Sequence, residues 1–399
     1  MYQPSKTILK RYADVLIKFA LWDGKGINTD DIVKLSIPES AKPLLPNLLT
    51  SVYEAGGHPI VDFQPEGFAK IRFKHANNKQ LLYYPKALYL EEIKTITHVV
   101  SIISTNDKYE LKGIDSEKIM MRRNAADFYR VAHFNKEYRG ELTWTVGLFG
   151  TQAMAKDVGM SLKEYWQQII DACFLNDDDP ISTWKKVFTE IEYIRSTLSN
   201  MPITSLHISG EDVDLTVSMG KNRKWLGGGG RNIPSFEVFT SPDWRGTNGT
   251  IRFNQPLYRY GNLIKDISLE FKDGLVTNAT ASENEKLLKD MIQVENANKI
   301  GEFSLTDKRH SKITKFMGET LFDENMGGEF GNTHIALGMA YKDTHTNDPS
   351  TIADDIWEEL GFNDSAVHTD IVSTTNRVVE ATLTDGSQKI IYENGMFTL

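Results

Sequence analysis

The segment THVVSIIST, residues 97–105, indicates the fold class of the first half of the chain. Its apolar residues are valine and isoleucine, and such β-branched runs favour buried strands. A second short strand is predicted for HPIVDF, residues 58–63. This strand follows AKPLLPNLLTSVYEAGG, residues 41–57, which ends on a glycine pair typical of a helix C-terminus. Helices that alternate with strands predict an α/β domain with a mostly parallel sheet.

The pattern changes after residue 202, where short segments of alternating polar and apolar residues replace the helical periods. Examples are LHISG (residues 206–210), VDLTVSMG (213–220) and KDISLEF (265–271). Glycine or Asp/Asn turns separate such segments, as in antiparallel hairpins. The sequence therefore predicts an α/β N-terminal domain with a helical extension in residues 1–198. Residues 199–399 are predicted to form an α+β C-terminal domain rich in antiparallel strands.

The composition excludes several classes of protein. A length of 399 residues suits two domains, and 40% hydrophobic with 25% charged residues is typical of a soluble globular protein. The net charge of −9 argues against a nucleic-acid-binding protein, which usually carries a basic surface. No apolar run reaches membrane-spanning length and the N-terminus lacks a secretory apolar core, so we predict a cytoplasmic protein with no membrane partner.

The single cysteine, Cys173, excludes an internal disulfide framework and a thiolate-rich zinc site. It lies in EYWQQIIDACF, residues 164–174, a helical pattern in which a small buried apolar residue is expected. The candidate catalytic or metal-binding side chains are therefore acids and histidines.

Acids and histidines concentrate in four segments: NIPSFEVFTSPD (232–243), IGEFSLTD (300–307), LFDENMGGEFGNTHIALGMAY (321–341) and VHTDIV (367–372). Each has an ordinary explanation, because a strand carboxylate usually faces solvent and a single histidine is often a satisfied core residue. If VHTDIV is a strand, His368 and Asp370 share a face, as a hydrogen-bonded pair or as half of a metal site. Three glutamates stand in or beside apolar runs, where a buried carboxylate needs a cation or donors. They are Glu237, Glu302 and Glu324.

The segment HIALGMAY, residues 334–341, is predicted to be helical. His334 and Tyr341 are then two turns apart and project from one face into the same site. The preceding GGEFGN supplies glycines that let the chain approach that site closely. The glycine run at residues 227–230 is not followed by Lys-Ser/Thr, so we interpret it as a flexible loop near the site rather than a phosphate loop.

In order and approximate spacing, these segments resemble the M29 family of metallo-aminopeptidases, the group of aminopeptidase T, AmpS and PepS. The resemblance covers nearly the whole chain and becomes specific from DVDLTVSMGKNRKWLGGG (212–229) onward. The matching motifs after it are IPSFEVFTSPD, GTIRFNQPLYRYGNLIKDISLEFKDG, GEFSLTD, LFDEN, HIALGMAY and HTD. The resemblance implies a metal-dependent aminopeptidase that acts on peptides with a free N-terminus. It also implies two divalent ions per subunit (zinc, cobalt or manganese) and a homodimer.

Carried over position by position, the resemblance implies a set of metal ligands in the C-terminal domain: Glu237, Glu302, Glu324, His334, His368 and Asp370. Glu302 is the expected bridging ligand and, with Glu324, a candidate general base. Tyr341 is expected to donate a hydrogen bond to the developing oxyanion. Two metals about 3.5–4 Å apart would activate a shared water for attack on the first peptide bond.

The chain departs from the family pattern at three points. Phe236 stands where relatives often have a second acid before VFT. MGGEFGNT, between LFDEN and HIALG, is longer than in many relatives, so Glu329 competes with Glu324 for the ligand role; the preserved LFDEN string favours Glu324. After HTD the chain has IVSTT in place of the usual aromatic, methionine and glycine. This difference does not affect the predicted ligands of the metal pair, but it leaves the residues of the neighbouring substrate pocket unassigned.

Two other functions are compatible with the same residues. A different two-metal hydrolase, such as a phosphoesterase or amidohydrolase, would use the same ligands. A phosphate substrate would also need cations, for which Arg231, Arg245 and Arg252 are available. A non-catalytic relative that binds peptides would keep the fold and lack ligands, and none of the principal ligands is missing from this sequence.

Overall fold

Helices and strands alternate through the first half of the chain. The computed structural model describes residues 2–259 and 261–399. The elements of this half are α1 (Lys6–Lys18), β1 (Ile32–Pro38), α2 (Leu45–Glu54), β2 (His58–Gln64), α3 (Phe68–His75), α4 (Asn78–Leu82), α5 (Lys86–Thr95), β3 (His98–Ile103), α6 (Ser116–Ala125), α7 (Asp127–Tyr138), β4 (Thr143–Leu148), α8 (Gln152–Asp157), α9 (Leu162–Ala172) and α10 (Pro180–Asn200). A 3₁₀ turn at Glu39–Leu44 leads into α2.

The four strands of this half form one parallel sheet in the order β2-β1-β3-β4. Strand β1 pairs with β2 on one side and with β3 on the other, and β4 continues the sheet beyond β3. The segment that opened the sequence analysis contains β3, whose Val100 and Ile102 are buried. The predicted α/β architecture with a parallel sheet is confirmed.

Local sequence signals start and stop the helices. The Oγ of Ser5 accepts a hydrogen bond from the backbone nitrogen of Ile8 at 3.2 Å and caps α1. Helix α2 ends before Gly56, whose φ of 83° favours glycine. Cys173 follows α9 and is buried, as predicted. Among the described residues, no helix combines the length and the apolar composition needed to cross a bilayer.

The second half consists mainly of antiparallel strands joined by short turns and helices. Its elements are β5 (Ile203–Gly210), β6 (Val213–Ser218), β7 (Leu226–Gly227), β8 (Glu237–Thr240), β9 (Asp243–Phe253), β10 (Leu257–Arg259), β11 (Asn262–Ile264), β12 (Ile267–Lys272), β13 (Leu275–Thr280), α11 (Glu285–Ile292), β14 (Ile300–Thr306), α12 (Thr320–Asp323), β15 (Asn332–Gly338), α13 (Ile356–Glu359), β16 (His368–Ser373), β17 (Arg377–Leu383), β18 (Gln388–Glu393) and β19 (Met396–Phe397). The predicted antiparallel C-terminal region is confirmed.

Apart from β10 and β11, which pair with each other, these strands form two large sheets that share one apolar core. The larger has the order β13-β12-β9-β6-β5-β17-β18-β19 and the smaller has the order β16-β15-β14-β8-β7. The core includes Leu206 and Ile251 from the larger sheet and Phe303, Ile335 and Ile371 from the smaller. Because alternate residues of a strand face opposite ways, the neighbours of these apolar residues on β14, β15 and β16 face away from the core. That second face of the smaller sheet carries the polar residues described below.

The chain divides into two compact units, Met1–Trp184 with Gly229–Ile233 and Lys185–Gly228 with Pro234–Leu399. The first division therefore falls within α10. The domain boundary predicted after residue 198 lies near the end of the same helix, and it stays a prediction.

Candidate metal centre

Four strands of the smaller sheet bring acids and histidines from distant parts of the sequence onto one face. Strand β14 carries Glu302, β16 carries His368 and Asp370, and β15 lies between these two strands. In the register of the sheet, Ala336 of β15 lies directly opposite Glu302 on one side and Asp370 on the other. Its methyl group leaves room between the two carboxylates, where a larger side chain would fill the face of the sheet.

Two groups of potential ligand atoms meet at Glu302. In the first, the Nε2 atom of His334 lies 3.2 Å from Oε1 of Glu302 and 3.4 Å from Oε2 of Glu237. In the second, the Nε2 atom of His368 lies 3.2 Å from Oδ1 of Asp370 and 3.5 Å from Oε2 of Glu302. Within each group the ligand atoms all lie within 4.8 Å of one another, close enough to surround a cation. Glu302 thus directs one oxygen to each group.

Burial makes this cluster costly without a cation. Glu302 is only 3% exposed and His334 is fully buried. Several carboxylates at such a place repel one another and lose their hydration, and a bound metal ion compensates both effects. The donor set of carboxylate oxygens and imidazole nitrogens suits zinc, cobalt or manganese, so the residues fit the metals that the sequence implied.

Both imidazoles are oriented for metal binding by their second nitrogen. The Nδ1 atom of His368 lies 2.8 Å from the backbone oxygen of Met339, which can only accept a hydrogen bond. The Nδ1 atom of His334 lies 3.3 Å from the side-chain oxygen of Asn332. That amide is itself fixed, because its nitrogen donates to the backbone oxygens of Glu324 and Met326. Protons on both Nδ1 atoms leave each Nε2 with a lone pair for an ion.

The two candidate glutamates after LFD occupy different surroundings. Glu324 is buried beside the cluster, and its carboxylate interacts electrostatically with Glu237 and Asp370. It is a member of neither tight ligand group. Glu329 is exposed and lines a separate cavity. The geometry therefore favours Glu324 over Glu329, and its ligand role stays a prediction.

The cluster retains protons in the absence of metal. Burial, followed by repulsion from Glu237 and Asp370, raises the pKa of Glu324 well above its usual value. Burial also raises the pKa of Glu237. Burial alone would lower the pKa of His334, but Glu237 and Glu302 raise it well above the usual value. The carboxylates of Asp370 and Glu302 do the same for the pKa of His368. A metal ion would replace these protons, because metal ligands bind in their deprotonated form.

The predicted helix over HIALGMAY is wrong. Residues 332–338 form β15, and all of them are buried because one face packs on the core and the other bears the polar cluster. Tyr341 lies after the strand, yet its ring centroid is 4.8 Å from that of His368. Burial and the nearby carboxylates, Glu302 first, raise the pKa of Tyr341 well above its usual value. The phenol therefore stays protonated and can donate a hydrogen bond.

The glycine run and the candidate phosphate-binding arginines are placed as follows. Gly227 belongs to β7 and pairs with β8, the strand that begins at Glu237. A Cβ atom on Gly227 would lie 2.3 Å from the backbone oxygen of Glu237, so the close approach requires glycine. Arg231 pairs with Glu137, and Arg245 pairs with Asp243. Arg252 lines the cavity that contains Glu329.

Sequence reasoning missed two residues beside the cluster. Asn332 orients His334, as described above, and was hidden in a loop-like stretch. Arg259 of the β10–β11 hairpin donates a hydrogen bond from Nη2 to the backbone oxygen of His368 at 3.2 Å. Asp370, Glu324 and Arg259 line a common cavity of about 270 Å³. The only sequence signal for Arg259 was a charged residue in NQPLYRYGN, which is common in exposed hairpins.

Comparisons with known proteins identify the family of this chain. A family model described as "Thermophilic metalloprotease (M29)" matches residues 5–397. Aminopeptidase AmpS of Bacillus subtilis is 26% identical over 97% of this chain and 97% of its own length. Aminopeptidase T of Thermus thermophilus is 26% identical over 98% and 99%, respectively. The solved structure of wild-type AmpT from Thermus thermophilus superposes with a TM-score of 0.81 at 23% identity, covering 99% of this chain and 100% of that one. The structural likeness supports the fold.

Proposed function

Because this chain belongs to the M29 family of metalloproteases, we propose that it is a metal-dependent aminopeptidase that removes the first residue from peptides. Its relatives AmpS and aminopeptidase T carry that activity in their names. The observation that carries the proposal is the position of Glu302. Its two carboxylate oxygens approach two different imidazoles, at 3.2 Å and 3.5 Å, as a ligand shared by two ions would.

The proposed centre holds two divalent ions per subunit. Glu237 and His334 would serve one ion, His368 and Asp370 the other, Glu302 both, and Glu324 would complete the set. Four carboxylates carry the negative charge that two divalent ions neutralise. When bound, such ions polarise the scissile carbonyl and lower the pKa of a water molecule towards neutrality. We also propose that the ions are zinc, cobalt or manganese. The same proposal includes a homodimer and a cytoplasmic location.

The side chains of the chain itself would handle protons and orientation. As an alternative to completing the ligand set, Glu324 would accept a proton from the attacking water, because it lies in neither tight ligand group. Glu302 is the alternative base. Tyr341 would donate to the oxygen that becomes negative in the transition state. The α-amine of the substrate would meet an acid or an ion of the centre, which confines cleavage to the first peptide bond.

A substrate panel tests this function. Metal-reconstituted protein should cleave leucine para-nitroanilide and short peptides with a free N-terminus. It should leave the same peptides intact when the N-terminus is acetylated, and it should not release phosphate from para-nitrophenyl phosphate. Hydrolysis of the phosphate ester without cleavage of any free peptide would instead favour the phosphoesterase. A protein without activity or stoichiometric metal would favour the peptide-binding relative.

Tyr341→Phe should lower kcat by about 10²-fold and leave KM nearly unchanged. The phenol would interact with the transition state rather than with bound substrate, and loss of one oxyanion donor has an effect of this order. Tyr193→Phe is the matched control, because Tyr193 is 61% exposed. Steady-state kinetics at fixed metal content give the result. An unchanged kcat, or a rise confined to KM, would remove Tyr341 from the proposed mechanism.

A further inference from the structure

Strand β8 and the residue after it present three side chains to the polar face of the smaller sheet. They belong to Glu237, Phe239 and Ser241, which are spaced two residues apart, and alternate residues of a strand share a face. Val238, between the first two, packs in the apolar core, so the three side chains lie on the opposite side. A proposed metal ligand, an aromatic ring and a hydroxyl therefore stand in one row.

This row contacts Tyr341, the proposed oxyanion donor. The backbone nitrogen of Tyr341 donates a hydrogen bond to the Oγ atom of Ser241 at 2.8 Å. The ring of Tyr341 meets that of Phe239 edge to face, with 5.7 Å between the ring centroids. It also contacts the ring of His368. Backbone and ring of Tyr341 are thus both joined to the row on β8, and the ring lies beside a proposed ligand.

Ser241 is itself held in place. It is fully buried, and its backbone oxygen accepts a hydrogen bond from Nε of Arg223 at 2.6 Å. The same guanidinium donates to the backbone oxygens of Lys221 and Leu360. It also lies over the ring of Phe362, 3.7 Å from the ring centroid. A buried side chain that joins separate parts of the chain in this way leaves Ser241 little freedom to move.

The hydroxyl lies at the level of the proposed shared ligand. Thr240 pairs with Phe303 in the register of β8 and β14, so Ser241 comes next, at the level of Glu302. An oxyanion donor has to lie about 2.7–3.1 Å from the oxygen that becomes negative. A misplacement of about 1 Å can lower a rate about 10²-fold. A hydroxyl that fixes the backbone of Tyr341 at this level can therefore decide whether the phenol reaches that oxygen.

We propose that Ser241 is a positioning residue, whose hydroxyl holds Tyr341 where the phenol meets the oxygen of the scissile carbonyl. The inference rests on the proposed aminopeptidase function and adds to it a residue that acts through Tyr341 rather than by contact with the substrate. Without the hydroxyl, the N–H of Tyr341 loses its acceptor. A backbone N–H away from water is costly to leave unpaired, so the segment shifts towards another partner and carries the phenol with it.

A double-mutant cycle tests this role. Ser241→Ala should lower kcat about 10-fold at unchanged KM and metal content, because it disturbs a contact made in the transition state. In the Tyr341→Phe background the same substitution should have little further effect, since no phenol hydroxyl remains to be placed. Kinetics with leucine para-nitroanilide and metal analysis give the results. An equal loss of kcat in both backgrounds, no loss in either, or a loss of kcat matched by loss of metal would overturn the proposal.

Three further variants separate positioning from a general loss of stability. Ser199→Ala is the matched control, because Oγ of Ser199 on α10 accepts a hydrogen bond from the backbone nitrogen of Trp225 at 2.9 Å. It should retain the kcat of the parent, and a loss equal to that of Ser241→Ala would contradict the proposal. Ser241→Thr keeps the hydroxyl and should retain most of kcat. If Ser241→Ala does not fold, Ser241→Cys replaces it in the cycle, because a thiol is similar in shape and only a weak acceptor.

Crystal structures of the parent and of Ser241→Ala keep the inference separate from the proposed function. In the variant, the ring of Tyr341 should move away from that of His368, whose centroid is 4.8 Å away in the parent. If the metal-loaded parent cleaves no peptide, the proposed function fails, and the position of the ring still decides whether Ser241 places Tyr341. A ring that stays in place in the variant contradicts the inference, whatever the activity of the parent.

Discussion

Glu302→Gln is expected to reduce kcat/KM by at least about 10³-fold, because it removes the shared ligand and a candidate base at once. The carboxamide has nearly the same shape as the carboxylate but lacks its charge, and its nitrogen cannot coordinate a cation. Both oxygens of Glu302 are engaged, one towards His334 and one towards His368. The variant should therefore lose metal from both ligand groups. Hydrolysis of leucine para-nitroanilide and metal content by mass spectrometry measure the two effects.

Glu329→Gln is the matched control for this variant. It makes the same chemical change at an exposed glutamate of the same half of the chain and should retain activity and metal. Circular dichroism and the thermal midpoint would show that Glu302→Gln is folded. Metal content equal to that of the parent, with full turnover by a folded Glu302→Gln protein, would falsify the shared-ligand scheme.

The sequence allowed the general fold and most of the candidate residues to be predicted. Strand β3 was visible in its β-branched run, and β16 in the alternation of VHTDIV. Glu237 and Glu302 attracted attention because a carboxylate among apolar neighbours requires compensation, and both are buried. Glu237 and Glu302 are 65 residues apart in the sequence (302 − 237), and no local pattern relates residues at that separation. The proposal of a shared centre therefore needed the ordered motif series.

The errors and omissions have physical causes. NTHIALG is buried on both faces, so it shows no alternation, and an apolar run of that kind fits a strand or a helix equally well. The choice between Glu324 and Glu329 depended on which side of a turn faces the sheet, a property of tertiary structure. Arg259 lies on the short β10–β11 hairpin, outside all four acid–histidine segments, and only folding brings it beside His368.

Removal of the metals should reverse the dependence of stability on pH. In metal-free protein the pKa values of His334 and His368 are raised above that of an unfolded histidine, about 6.5. Their stabilising contribution is complete below about pH 6.5 and is lost as the pH rises through the raised native values. The raised pKa values of Glu237 and Glu324 act in the same direction, starting from about pH 4.5. The lowered pKa of Asp370 acts only at more acidic pH.

The thermal midpoint of the metal-free protein should therefore fall by about 5–10 °C between about pH 6 and pH 8, if unfolding releases one proton throughout this range. Metal binding requires deprotonated ligands, so the added stability from saturating zinc or manganese should grow over the same range. Differential scanning calorimetry after chelation and after reconstitution measures both trends. His334→Gln should weaken the pH dependence of the metal-free protein, whereas His207→Gln, at a partly exposed histidine that pairs with Asp214, should retain it. A metal-free midpoint that rises with pH would show that the buried cluster does not hold its protons in the folded state.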